Sequence, residues 1–470
     1  MLNKNTIIII LLSLIVFAFI IYLISIMISS NTNLSNLAIL PLQTTTSISD
    51  LSSLINNNLR TTVTVSNEKQ EVDLFLLSND FSFFITQQDI FFENNDNSKI
   101  NKLANNFYDY EMSSSIEIIS NRTQIVFTNY KFARKAKENF ALCSKSNCKK
   151  NSISMNNFNF MLAEDPSSKA SGGIGLGLNE YIWDGAINLF NELYRNKYIK
   201  NNVWYIDYYK KNEKKLVIGK FPYEVDTIYQ KNDFEFVELK DKGKFWELKM
   251  MKITIGYIDE YNEENSENIL KDKNIQFQQD NSLIYGPPDY YNRIKSIFFN
   301  KYLNNQCKEQ TVNYQLLDYL YIVCEEDISL KDFPPLVLYI DKNIRLELTH
   351  DDLFMKGDGH MLFLFISNKV EKYFNGNWYF GEPFLKKYMP VYNQKEYKIG
   401  FYGAIINKKS NYKVAGTLGF ILLFISVGVI IYLCLFIFKK YRNRRIRKAA
   451  MEMRIEEISS KFILNKNENK

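Results

Sequence analysis

Two histidines, His350 and His360, are the only ones in 470 residues. Neither accompanies a Cys-x-x-Cys, so no zinc site is expected, and no residue pattern asks for a cofactor. Cysteine is sparse too: there are five, of which Cys434 lies inside an apolar run. Charge of one sign is lacking in the body of the chain. With Lys4 and the tail 439–470 set aside (11 basic, 4 acidic), residues 29–438 carry 46 basic against 48 acidic side chains, a balance that argues against nucleic acid as a partner. The glycine run at 172–177, GGIGLG, has no Lys-Ser/Thr behind it, which excludes a P-loop. No internal period of 20–50 residues stands out.

What is present begins with two long uncharged runs. Residues 6–28 form a stretch of 23 residues, enough to cross roughly 30 Å of hydrocarbon as a helix. We read it as an uncleaved signal anchor, a cleaved signal peptide being the alternative. Residues 414–438 form the second span, and Lys439, Lys440, Arg442, Arg444, Arg445, Arg447 and Lys448 follow at once. By the positive-inside rule the tail is cytosolic. Lys4 is the only charged side chain before the first span, and no Lys or Arg follows that span until Arg60, so the N-terminus should be cytosolic and the middle lumenal or extracellular. The basic cluster would also bind anionic lipid at the cytosolic leaflet, if it is more than a stop-transfer flank. Beyond it, Ile455, Ile458 and Phe462 recur at helical spacing, a short amphipathic pattern.

Cys143, Cys148, Cys307 and Cys324 fall in the translocated part, where an even number suggests disulfides; four free thiols are the alternative. Asn33 and Asn121 open glycosylation sequons. At 46% hydrophobic and 15% aromatic, the chain can bury more than one sizeable core. Short β-branched and aromatic segments such as 124–128, 252–257 and 336–340, separated by polar turns, predict a mainly β body. The acidic turn with Asp351, Asp352 and Asp358 around Gly357 and Gly359 reads as a solvated loop before a cation site.

A series of motifs fixes the fold expectation further. Residues 378–401, WYFGEPFLKKYMPVYNQKEYKIGF, resemble the C-terminal lobe of the pepsin-like aspartic proteases, with Tyr392-Asn393 where that family has Phe-Asp. In matching order come SGGIGLG (171–177), KLVIG (215–219), FWEL with MKITIG (245–256), SLIYGP (282–287) and the stretch 333–346. The resemblance implies a bilobal, mainly β ectodomain, which the two apolar runs would bracket as transmembrane helices. Its parts would be an anchor at 1–28, a linker at 29–59, lobes at 60–235 and 236–410, a span at 414–438 and the tail. The local pairing Cys143/Cys148 and Cys307/Cys324 also suits the family.

The same resemblance places a catalytic Asp-Thr-Gly-Ser/Thr loop in each lobe, with two carboxylates sharing one proton. Here the Asp positions read Leu77 and Gln278, and the loop glycines are replaced by Asn79 and Asp280. General acid-base chemistry needs groups that exchange protons, so the expected protein is a pseudo-protease whose cleft binds a peptide or protein. The alternatives are an active endopeptidase in which Asp80 and Asp280 have slipped into the dyad role, and a structural surface glycoprotein. Tyr110 in FYDY is the candidate for the aromatic of the flap over the cleft.

Overall fold

The structure is a computed structural model. Apart from a few runs of one to three residues it describes 36–44, 58–87, 106–124, 132–164, 171–178, 185–239, 245–256, 267–368 and 377–406, with Leu54 and seven positions between Arg442 and Arg454. It forms two compact units, 1–406 and 407–470. In the second, Arg442, Asn443, Arg445, Arg447, Met451, Met453 and Arg454 are helical and exposed. Both apolar runs, Asn33 and the amphipathic pattern from Ile455 lie outside the described residues. Among those described, no helix is long and apolar enough to cross a membrane.

The first unit is mainly β, as the sequence predicts. Strand Ile344–Leu348 alternates buried and half-buried positions, the period-2 pattern of a sheet with one face in the core. Gln70–Leu77 instead buries five consecutive residues, Val72 to Leu76, as a strand covered on both faces does. Lys252–Ile255 and Leu336–Tyr339 pair as neighbouring strands. Of the expected strand 124–128, Gln124 closes the strand Thr123–Gln124 and the rest lies outside the described residues.

The described strands assemble into sheets of 14 and 12. The first takes the strands up to Phe234–Glu238, the second those from Glu247–Ile255 to Trp378–Phe380 together with Ile405–Ile406, which pairs with Ile344–Leu348. Chain order and sheet membership part company near the end: Val391–Asn393 and Lys398–Tyr402 return to the first sheet, pairing Val203–Lys210 and Phe234–Glu238. A boundary between 235 and 236 therefore cuts a strand, held by its register of Phe234 on Tyr402 and Phe236 on Gly400. The linker expectation for 29–59 needs correction as well. Ala38–Thr44 is a strand, because Ala38, Leu40 and Leu42 alternate into the core and the backbone pairs with Glu213–Ile218.

Cys143–Cys148 and Cys307–Cys324 are disulfides, the second joining directly opposed residues of two antiparallel strands. Helix Glu382–Tyr388 buries Phe384, Leu385 and Tyr388 and stops at Met389, which takes a left-handed conformation ahead of Pro390.

Candidate functional site

Two loops built on one plan meet at the junction of the sheets. In the first, Gln70–Leu77 runs parallel to Gly172–Gly175, with Leu77 opposite Gly175, and the chain returns through residues 78–82 into Phe83–Thr86, antiparallel to the same strand. In the second, Glu267–Phe277 runs parallel to Trp378–Phe380, with Phe277 opposite Phe380, and the chain returns through residues 278–283 into Ile284–Tyr285. Glycine supports each turn from below. A Cβ on Gly175 would lie 2.3 Å from the carbonyl carbon of Phe81, and one on Gly381 would lie 2.3 Å from the Asn281 oxygen. The run 172–177 thus owes its glycines to close backbone approach.

The internal hydrogen bonds repeat as well. Asp80 N–H donates to Leu77 O (3.3 Å), and Asn281 N–H to Gln278 O (3.3 Å). Asp80 Oδ1 accepts from Ser82 N (2.8 Å), and Asn281 Oδ1 from Leu283 N (3.0 Å). Leu77 and Gln278 are therefore equivalent, as are Ser78 and Gln279, Asn79 and Asp280, and Asp80 and Asn281. Leu77 is half-buried against Phe75 and Phe84. The Gln278 amide oxygen accepts from Asn281 Nδ2 at 3.2 Å.

The loops are joined through the residues after these positions. Ser78 Oγ accepts from the backbone N–H of Gln279 (2.8 Å) and of Asp280 (3.3 Å), and donates to Gln279 Oε1 (3.0 Å). The Ser78 N–H donates to Asp280 Oδ2 at 3.0 Å, and Gln276 Nε2 to Asn79 Oδ1 at 3.2 Å. Gln279 Nε2 donates to Tyr392 OH, and Tyr392 stacks on Trp204 with ring centroids 4.1 Å apart. Where the family has Thr and Phe, this chain has Gln279 and Tyr392, and each supplies the other's polar partner. Burial raises the Asp280 carboxyl above its usual value, with hydrogen bonding to Ser78 pulling the other way. Burial likewise raises the Tyr392 phenol, which stays protonated.

Asp80 and Asp280 occupy non-equivalent positions. Asp80 is wholly buried and its Oδ1 also takes the Ser82 hydroxyl (2.6 Å), whereas Asp280 reaches across to the other loop. Leu77 has no proton to exchange, and the Gln278 amide does not ionise.

A sequence model of the eukaryotic aspartyl protease family matches residues 56–404, about three-quarters of the chain. The chain belongs to that family. No individually curated protein sequence matches it. Within this aspartyl protease frame Tyr110 sits in a bend, half-buried, ahead of the hairpin that Glu117–Ile118 and Thr123–Gln124 make with Phe132–Ala141. The anchored tyrosine of FYDY is Tyr108, whose OH donates to the buried Glu138 (2.7 Å) beside the hydroxyls of Ser113 and Ser115. Asn121 is exposed on that hairpin. Asp352 is tied to Thr349 and Lys387, away from Asp358, and among the described residues no group of three His, Cys, Asp or Glu is placed to hold a metal. A cavity of about 310 Å3 borders the second loop at Ser282 and has a mixed lining, apolar at Leu54, Phe354 and Leu364 and charged at Asp351, Asp352, Glu382, Lys386 and Lys387.

The sequence pointed to the loops but not to their junction. Ser78 was visible as a small hydroxyl residue in a Thr position. The pairing of Tyr392 with Gln279 gives no signal, because residues 113 apart show their contact only in the fold.

Proposed function

We propose that this aspartyl protease homologue is catalytically inert and anchored in a membrane, and that it binds an extended peptide or protein segment in the cleft between its lobes. The observation that carries the reading is the equivalence of Leu77 and Gln278 at the heads of the two loops, where a proton-sharing pair would have to stand. Backbone hydrogen bonding and side-chain pockets suffice to hold an extended chain, and the cavity beside Ser282 is large enough for one side chain. Anchoring rests on the apolar runs 6–28 and 414–438, with both ends cytosolic and the tail's basic cluster on anionic lipid. A glycan on Asn121 follows from that topology and its exposed hairpin.

The full-length protein in detergent, presented with a random peptide library, tests this by mass spectrometry of what it retains. Intact, sequence-enriched peptides support the reading. Shortened peptides make the protein an endopeptidase, and no retained peptide makes the ectodomain a structural glycoprotein.

A further inference from the structure

A second cavity, of about 200 Å3, shares no residue with the junction or with the cavity at Ser282. Three parts of the chain meet around it. The end of helix Leu189–Arg195 brings Tyr194 and Arg195, Asn202 stands just before strand Val203–Lys210, and the turn between Val391–Asn393 and Lys398–Tyr402 brings Gln394, Lys395 and Tyr397. The backbone ties the last two together, Gln394 N–H donating to Asn202 O at 2.9 Å. Tyr194 and Tyr397 are half-buried and pack on the main core. Among the described residues none that lines the cavity is acidic, and Glu396, within the same turn, is bound to Lys398 at 3.1 Å.

Asn202 and Gln394 are each only 5% exposed, and each has an amide oxygen without a hydrogen-bond partner among the described residues. Their nitrogens are committed: Gln394 Nε2 donates to Leu178 O (3.3 Å) and Asn202 Nδ2 to Asn191 Oδ1 (2.8 Å). A backbone carbonyl only accepts, so turning the Gln394 amide over would lose its bond to Leu178. Two buried acceptors thus call for donors. The rim is cationic, with Arg195 and Lys395 both exposed and the Lys395 ammonium 5.6 Å from the Tyr194 ring centroid.

The two demands narrow the ligand. A metal ion or an amine would suit the oxygens but is repelled by the two cations. Sulfate suits the cations and has no donor for the oxygens. A neutral polyol has the donors and leaves the cations unused. We propose that this cavity binds a sugar acid, a uronic or sialic acid residue, with its carboxylate on Arg195 and Lys395 and its hydroxyls donating to Asn202 Oδ1 and Gln394 Oε1. The size agrees: one water takes only about 30 Å3, and sites for drug-sized molecules begin at roughly 300 Å3, so the space matches a single sugar ring. Tyr194 and Tyr397 offer the apolar body and polar tip that such a ring, with its C–H faces and hydroxyl edge, can meet.

The test is saturation-transfer NMR on the full-length protein in a detergent that carries no sugar, with glucuronate and N-acetylneuraminate as probes and glucose and sulfate as controls. At least one sugar acid should receive saturation, bind several-fold more tightly than glucose, and resist an equal concentration of sulfate. Lys395→Met, at an exposed position whose change leaves the fold intact, should weaken that binding several-fold and leave the glucose signal unmoved. Gln394→Met, in protein that keeps the native melting temperature, should weaken acid and glucose alike; if it does not fold, Lys395→Met decides alone. No saturation of either acid overturns the proposal. Displacement by sulfate overturns it by making the site a bare anion site, and glucose binding as tightly does so by removing the cations from it. Acid binding untouched by Lys395→Met places the sugar elsewhere and overturns it as well.

Discussion

Ser78 satisfies two backbone donors of the opposite loop with one hydroxyl. Ser78→Ala leaves the N–H groups of Gln279 and Asp280 without that acceptor in a largely buried place, where an unsatisfied group costs about 1–3 kcal/mol. We expect a loss of that size in a denaturant melt and recovery with Ser78→Thr; equal losses from Ala and Thr would mean the hydroxyl is not the agent. Asp280 gives a prediction with a sign. Its folded pKa is raised by burial, so the folded chain holds this proton more tightly than the unfolded one. The group's stabilising effect is complete below the unfolded carboxyl pKa and is lost as pH rises through the raised folded value. Asp280→Asn keeps an acceptor for Ser78 and has no such titration, so its melting temperature should gain on the native protein as pH rises across that window. Parallel melting curves would contradict the shift. At this scale the sequence is legible in the pairing of Leu77 with Gln278 as like positions of two like loops, which the hydrogen bonds repeat, and silent where role comes from contact, as for Tyr392.

At the scale of elements the two strand-loop-strand units rest on glycines that cannot carry a side chain. Gly381→Ala would drive a methyl into the backbone oxygens of Asn281 and Leu283, at 2.3 and 2.4 Å. Neither is a side chain that can swing aside, so the cost should reach or exceed the roughly 1–3 kcal/mol of ordinary overpacking. An unchanged denaturation midpoint would show that the turn can relax. Cys307–Cys324 closes a loop with a sequence separation of 17 on one antiparallel pair, for which chain entropy predicts about 3 kcal/mol. The paired change Cys307→Ser and Cys324→Ser should lower stability by about that amount without altering the junction. Local pattern showed these elements well: SGGIGLG, MKITIG and SLIYGP all lie in or beside strands of the expected kind. It failed for Ala38–Thr44, where Ile39 and Pro41 on the outer face hide the alternation and Pro41 reads as a break, until Glu213–Ile218 pairs with it. It also failed for the hairpin after Tyr110, whose strands of two residues, Glu117–Ile118 and Thr123–Gln124, depend on Phe132–Ala141 for their existence.

For the whole molecule, the β-rich body and its family were readable from motif order, while the return of Val391–Asn393 and Lys398–Tyr402 to the first sheet was not. Strand partners 150 or more residues apart, such as Phe236 and Gly400, leave no local trace. The topological proposal makes its own prediction. In sealed vesicles whose outer face is the lumenal or extracellular one, external protease should digest an epitope in the ectodomain and spare one on residues 439–470, with the N-terminal epitope spared too; digestion of the tail would reverse the charge-based orientation.

The central claim is chemical: the two loops meet through Ser78 and Gln279 without a pair of groups able to pass a proton between them. The most direct measurement is hydrolysis of a quenched-fluorescent peptide library by the purified full-length protein across about pH 3 to 6, the range in which a carboxyl dyad works. Native protein, Asp80→Ala and Asp280→Ala are assayed side by side. The account predicts no turnover above the buffer rate for any of the three. Cleavage by the native protein that either substitution abolishes would contradict it and return Asp80 and Asp280 to the role of a catalytic pair.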